Sequence, residues 1–370
     1  MNNESIAADP PMYAAFSIID EVDRLYILIC NTANGENYMD ESLQSLCNDD
    51  ISLNFSNAVI SEIKRDFISM FVQENPFMES HFTYTTPMIS QNWMSFPKLK
   101  ILDLSENNMR RTNFVQLLSN SLYFLDLHGN SLSNLNLNEK GKKLFALNLD
   151  ENNFNNIKYN GYSKTLSMAG LKNLHYLSVS RNEINTIESD AFRDNNELLF
   201  LNLSSNDIHY LHPKTFANLQ YLETLDLSIN QLENVPQISN ETEISTLCIN
   251  NNNIKKIISH TFVHMPKLIK LLMGMNQINK IDVNAFAHLI VLEELDLSRN
   301  MLSSLPEGWT KSLISLKYLD LSDNKFTSLE SLPLTNTLPL ITIYLMKNSL
   351  EYLNVKYFEN LPQNLTINLI

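Results

Sequence analysis

The feature that most constrains this chain is a nine-residue phrase that keeps returning. Residues 222–230 read LETLDLSIN, 292–300 read LEELDLSRN and 316–324 read LKYLDLSDN. Written as L-x-x-L-x-L-x-x-N, the phrase occurs eleven times, ending at Asn107, Asn130, Asn152, Asn182, Asn206, Asn230, Asn252, Asn276, Asn300, Asn324 and Asn348. Successive asparagines stand 22 to 24 positions apart, except for a step of 30 between Asn152 and Asn182. In L-x-L the two leucines leave a strand on one side, so each copy has one face to bury and one to spare. A single copy cannot cover its own leucines. Stacked neighbours can, and a fixed period of this length predicts a solenoid whose strands line up in a parallel sheet. At 370 residues, 44% of them hydrophobic, the chain exceeds what one compact core usually absorbs, as an elongated array requires.

The second half of each period carries its own apolar pattern. After Asn206 come Ile208, Leu211, Phe216, Leu219 and Leu222, and after Asn276 come Ile278, Ile281, Phe286, Leu289 and Leu292. Phe192, Phe216, Phe262, Phe286 and Phe358, with Trp309 at the matching place, are expected to stack as an aromatic spine behind the sheet. The asparagine has a separate explanation. Its amide both donates and accepts, which suits a place where the chain turns out of a strand and leaves backbone groups unpaired.

These motifs resemble the leucine-rich repeat family over roughly residues 51 to 370, in the 24-residue form found in Toll-like receptor ectodomains and secreted insect leucine-rich immune proteins. The resemblance implies an α/β solenoid: a horseshoe with a parallel sheet on its concave face and an irregular or short helical convex side. It also implies an extracellular, non-enzymatic recognition module, receptor-like or immune, that binds another protein or a glycoconjugate through the concave face. An intracellular scaffold or regulatory subunit is the competing reading. Fold does not fix function, so both rest on analogy.

Departures from the period mark the domains. Residues 1–50 are expected to form an N-terminal cap, since the first coil's apolar edge otherwise faces water. ISLNFSNAVISEIKRDFISMF, from Ile51, reads as a degenerate opening repeat. The stretch between Phe71 and Phe96 fits no repeat, and KYNGYSKTLSMAG is expected to bulge from the edge as a loop. About eleven full repeats and a truncated last one then run to Ile370, where Ile367 and Leu369 read as one more strand. With no C-terminal cap in view, the sequence reads as a piece of a longer one. Cys30 and Cys47 stand in the cap region, either as a disulfide or as two buried free thiols; the resemblance implies the bridge.

Composition removes other functions. A net charge of −14 is the wrong sign for nucleic acid or an anionic membrane surface. Seven glycines form neither GxGxxG nor GxxxxGK[ST], and no cofactor is implied. No apolar run is long enough to span a membrane, and the first twenty residues lack the basic and apolar regions of an export signal. His264 and His288 share a place in adjacent repeats, with His260 four residues before the first, but no cysteine or carboxylate completes a ligand set, so no metal site is expected. The N-x-[ST] asparagines are Asn3, Asn54, Asn202, Asn240 and Asn364, of which Asn54, Asn240 and Asn364 are the glycosylation candidates.

The variable letters of the phrase are the readable surface. Its third letter is expected to face outward: Ile101, Phe124, Ala146, Tyr176 and Phe200 make an apolar start to a column that turns mostly polar afterwards. This stripe is the expected partner site, flanked by Asp126, Asn148, Asn202 and Asp226. The fifth letter, with Asp103, Asp126, Asp226, Asp296 and Asp320, is expected to make an exposed negative face, and Cys248 in the same column a solvent-facing unpaired thiol.

Overall fold

The computed structural model describes residues 51–54 and 99–369, apart from 162–163, 335, 337, 352–356, 358–360 and 363–364. Cys30, Cys47, Asn3, Phe358, Asn364 and most of the opening repeat therefore lie outside the described residues. Two compact units are distinguished, one holding 49–223 with 236–242, the other 224–235 with 243–370.

In the first unit the strands are β1 (Ile51–Asn54), β2 (Leu99–Asp103), β3 (Phe124–Asp126), β4 (Leu135–Asn136), β5 (Ala146–Asn148), β6 (Asn156–Lys158), β7 (Thr165–Ser167), β8 (Tyr176–Ser178), β9 (Thr186–Ile187) and β10 (Phe200–Asn202). One strand per phrase builds a parallel sheet in the order β1-β2-β3-β5-β8-β10. In the second unit they are β11 (Thr224–Asp226), β12 (Thr246–Cys248), β13 (Lys256–Ile257), β14 (Lys270–Leu272), β15 (Lys280–Ile281), β16 (Glu294–Asp296), β17 (Tyr318–Asp320), β18 (Thr342–Tyr344) and β19 (Thr366–Asn368). Its sheet runs β11-β12-β14-β16-β17-β18-β19. Each unit is thus a solenoid of stacked coils. The returning side carries short turns of 3-10 helix, as at Asn113–Leu117 and Asn138–Gly141, and small strand pairs such as β13 with β15.

Burial follows the leucine pattern. The fourth and sixth letters are in the core, as with Leu125, Leu127, Leu147, Leu149, Leu295 and Leu297. The aromatic spine is present in both units: Phe192 stacks on Phe216 with centroids 6.1 Å apart, and Phe262 on Phe286 at 5.9 Å, with Trp309 edge-on to Phe286 at 5.9 Å. Such rings bury more apolar area per residue than any aliphatic side chain and prefer offset or tilted contact.

The 30-residue step differs from its expectation as a bulging loop. Its extra residues form β7, which pairs in parallel with both β6 and β4, giving the order β4-β7-β6-β9. The backbone N–H groups of Met168 and Ala169 donate to Lys158 and Tyr159 carbonyls at 2.9 Å. The Arg193 guanidinium sits 3.5 Å over the Tyr159 ring, and the Tyr159 hydroxyl donates to Asp194 Oδ2 at 3.0 Å. Enough backbone is paired in this way for the insertion to be a strand of the solenoid.

The asparagine column works as an inter-coil clip. Asn276 Nδ2 donates to the carbonyls of Met273 (3.1 Å) and Gly274 (3.3 Å) in its own coil and of Ile249 (2.9 Å) in the preceding one. Its Oδ1 accepts from the Ile254 N–H at 3.1 Å. Asn130, Asn152, Asn252, Asn300 and Asn324 repeat the arrangement, accepting from Met109, Leu132, Leu232, Ile278 and Leu302 respectively. One side chain satisfies four buried backbone groups.

The residue before each clip is the cost of that geometry. Glu106, Glu151, Arg181, Ser205, Ile229, Asn251, Met275, Arg299, Asp323 and Lys347 all have φ between 50° and 56° or close to it, and Gly129 takes the same place at 65°. The left-handed conformation costs a non-glycine residue roughly 1–2 kcal/mol. It persists because the N–H it directs outward finds a carbonyl of the next coil, as Met275 N does with Ser298 O at 2.9 Å and Arg299 N with Ser322 O at 2.7 Å.

A second device caps the strand exits. Where the fifth letter is Asp or Asn, its Oδ1 accepts from the N–H two residues on: Asp103 from Ser105 (2.9 Å), Asn202 from Ser204 (2.9 Å), Asp296 from Ser298 (2.8 Å) and Asp320 from Ser322 (2.8 Å). Four coils lack this residue, having Ser178, Cys248, Leu272 and Tyr344 instead. In the coils of Ser178 and Leu272 the preceding coil supplies the acceptor from its seventh letter: Asp150 Oδ1 takes the Ser180 N–H at 2.6 Å, and Asn250 Oδ1 takes the Gly274 N–H at 2.7 Å.

Two stability predictions follow from these bonds. Asn276→Leu is expected to cost about 1–3 kcal/mol by stranding buried backbone groups, whereas Asn279→Leu, at an exposed position, costs far less; urea midpoints compare them directly. Ile229→Gly is expected to raise stability by about 0.5–1 kcal/mol, because a β-branched residue at φ 55° is replaced by one without the steric penalty.

Candidate functional site

The predicted stripe is aligned as expected. Phe124 stands in register with Ile101 and Ala146, Tyr176 with Ala146, and Phe200 with Tyr176. Its exposure is not as expected. Phe124 is 2% exposed and Phe200 5%, Ile101 and Ala146 are also buried, and only Tyr176 reaches the half-buried range. In a parallel sheet with strands about 4.8 Å apart, each member of such a row loses surface to neighbours on both sides. Tyr176 and Phe200 illustrate this, with centroids 5.9 Å apart. The stripe is therefore packed material, and replacing Phe200 by Ala would disturb the fold as well as the surface.

The half-exposed rings come instead from the second letter, a column not singled out from the sequence. Tyr123, Phe145 and His175 occupy it in three successive coils, each half-buried. Tyr123 and Phe145 stack at 4.7 Å with an 8° tilt, and Phe145 and His175 at 4.3 Å with 27°. Phe145 also meets Tyr176 at 5.4 Å, which joins this column to the stripe. The backbone holds the stack in place, since Tyr123, Phe145 and His175 each donate their N–H to the preceding coil's second letter at 2.8 Å. His175 Nδ1 lies 2.8 Å from the Asn173 carbonyl, so that nitrogen carries a proton and donates it. The signal was available in LYFLDLHGN, LFALNLDEN and LHYLSVSRN, where the second letters are all rings.

The polar flank also differs from its expectation. Asp103, Asp126, Asn148, Asn202, Asp296 and Asp320 are buried, and Asp226, which belongs to the other unit, is half-buried. One oxygen of each, Oδ1, accepts the N–H two residues on, and with the side chains this covered the column is no exposed negative face. Burial raises the Asp150, Asp226, Asp296 and Asp320 carboxyls above the ordinary range, Asp296 to about 6. His128 is raised as well, but against its burial: its hydrogen bond to Asp126 Oδ1 (2.9 Å) outweighs desolvation, and with the Asp126, Glu106 and Asp103 charges raises it to about 9. It is an imidazolium at neutral pH, 3.3 Å from Glu106 Oε1.

One further expectation is corrected here. Cys248 is free but half-buried, and burial, with the Asp226 charge behind it, pushes its thiol well up, which makes it a poor partner for disulfide exchange. Among the sequons, Asn202 is buried with both amide atoms bonded, to Ser204 N and Ser178 Oγ. Asn240 is exposed, with Nδ2 3.2 Å from the Ala217 carbonyl. Of Asn54 only the backbone strand is described. Among the described residues no helix is long and apolar enough to cross a membrane.

The comparisons with known proteins agree with this geometry. The family model described as leucine-rich repeat matches residues 165–208, 242–302 and 290–336. No curated protein matches the chain. Among solved structures, a TLR13–ssRNA13 complex is similar with a TM-score of 0.59 and 25% identity, covering 74% of this chain and 39% of the receptor chain. The Toll–Spätzle complex of Drosophila gives 0.58 and 19%, again covering 74% of this chain and 39% of that one. A Leptospira interrogans protein of the same repeat class gives 0.54 and 21%, with 91% and 88% covered. The chain thus spans about two-fifths of the Toll-type chains it is similar to.

The buried carboxyls predict a pH signature. Asp296 holds its proton more tightly in the folded state, about 6 against an ordinary 3.8, so its contribution to stability falls as pH rises from about 4 through 6. Asp296→Asn keeps an Oδ1 acceptor for Ser298 and removes the buried charge. It is expected to stabilise the chain by up to about 3 kcal/mol at pH 7.5 and by little near pH 4, as read from urea midpoints across that range.

Proposed function

Because the chain is a leucine-rich repeat protein, we propose that it is a non-enzymatic recognition module that binds another protein on its strand face, in the extracellular space. The observation that carries this reading is the band of Tyr123, Phe145, His175 and Tyr176: four half-buried rings fixed on a ladder of backbone bonds. Rings held in this way lose little entropy when a partner covers them, and a few such anchors commonly dominate an interface. A net charge of −14 favours partners that carry basic groups.

The resemblance to Toll-type receptors supports an extracellular placement and a role in host defence, with cell-surface adhesion second. The TLR13 complex contains RNA and the Toll complex contains Spätzle. Of these two ligand classes the acidic charge of this chain favours protein.

The test uses the immobilised chain with extracellular fluid from its source as the pool of partners. Wild type is expected to retain a specific protein that Tyr123→Ala with His175→Ala binds at least tenfold more weakly, about 1.4 kcal/mol, while its circular dichroism stays that of wild type. Lys280→Ala, an exposed residue of the second unit, is expected to retain it. Equal retention by the double variant would place the binding surface away from the band.

A further inference from the structure

A pair of histidines on adjacent coils stands out from the repeat pattern. His260 Nδ1 and His288 Nε2 are 3.1 Å apart, with ring centroids separated by 5.4 Å and planes at 51°. The sequence aligned His264 with His288; the structure puts His260 opposite His288. His260 is exposed and His288 half-buried.

The backbone beneath His260 is built for this placement. Its φ is +61°, a left-handed conformation that does not belong to the series preceding the asparagine clips. A strained residue outside a repeated device marks a local demand, since a histidine there costs free energy that an ordinary turn avoids. The turn is pinned at several points. The Ser259 N–H donates to Asp282 Oδ2 at 3.1 Å and the His260 N–H to the Asn284 carbonyl at 3.1 Å, both on the next coil. Within the turn, Thr261 Oγ1 donates to the Ile258 carbonyl at 2.7 Å and the Val263 N–H to the His260 carbonyl at 3.2 Å.

We propose that His260 and His288 form a two-histidine site for a divalent transition-metal ion of the zinc or copper class. Imidazole nitrogen is a preferred ligand for these ions. With metal–nitrogen bonds of 2.0–2.1 Å and an angle at the metal near 90–110°, two bound nitrogens lie about 2.9–3.4 Å apart. The observed 3.1 Å falls within that span. At such a metal each lone pair points about 35–45° off the line between the two nitrogens, so metal binding turns both rings from their hydrogen-bonded orientation.

The proton balance is closed. In the neutral pair one N–H lies between the rings. On metal binding that proton moves to the outer nitrogen of its ring, so two neutral imidazoles present two lone pairs and no net proton is released. Protonated imidazole cannot ligate, so affinity falls on acidification. Two protein ligands leave the remaining coordination positions to water or to a donor from a docked molecule. The metal clamps two coils together on the returning side of the solenoid, away from the strand face.

The full chain is titrated with Zn2+ by calorimetry in a non-chelating buffer at pH 7.5, and the Cu2+ form is examined by electron paramagnetic resonance. One Zn2+ per chain, a rise in melting temperature and Cu2+ hyperfine structure from two nitrogens are expected. His288→Ala and His260→Asn are each expected to weaken Zn2+ binding at least tenfold; asparagine is used at 260 because it tolerates the left-handed backbone. His264→Ala is expected to bind as wild type, and the wild-type affinity to fall at pH 5.5. Undiminished Zn2+ binding by both variants, or a Cu2+ spectrum without the two-nitrogen pattern, would overturn the site and leave the pair as a hydrogen bond alone.

Discussion

Everything in this molecule depends on how one coil is tied to the next, and the tie is the amide of a buried asparagine. Leucine burial supplies most of the free energy but is indifferent to register, since apolar contact has no direction. The clip supplies the direction. Asn276 bonds to four backbone groups on two coils, and the same set recurs at Asn130, Asn152, Asn252, Asn300 and Asn324. Because the bonds run both within and between coils, the strand exits are fixed at one spacing. The ring stack at Tyr123, Phe145 and His175 inherits that spacing, as does the alignment of His260 with His288.

The fold was largely legible from the letters. Period, strand positions, spine and clip all rest on spacing and on the chemistry of fixed residues, which a repeat displays many times over. Exposure was less legible. A side chain at the third letter points away from the leucines, yet whether it is wet depends on the size of its neighbours in register, and Phe124 and Phe200 are covered. The fifth letter failed for a related reason. A carboxylate at the surface of a sheet was expected to serve a partner, while in the folded chain it serves the N–H two residues on, as Asp296 and Asp320 do.

Features that depend on contacts between unlike coils were not legible. Nothing in LYFLDLHGN alone says that Tyr123 will stack on Phe145, and the extra residues before Asn182 gave no sign that they form a strand pairing with two others. The left-handed residues were hidden for a different reason. Glycine announces the position only at Gly129; most coils use an ordinary residue and rely on inter-coil bonds to hold it there.

The borrowed caps bear on how such a molecule can be rearranged. A coil that brings its own fifth-letter acid or amide is self-sufficient at its exit, and one of these can stand beside any other. The coils of Ser178 and Leu272 are not self-sufficient, because Asp150 and Asn250 complete them from the coil before. Excising or exchanging either donor coil would leave a buried amide without its acceptor in a neighbour whose own sequence had not changed. At those two places the interchangeable module is a pair of coils, and duplications or deletions that cut between them carry a penalty that cuts elsewhere escape.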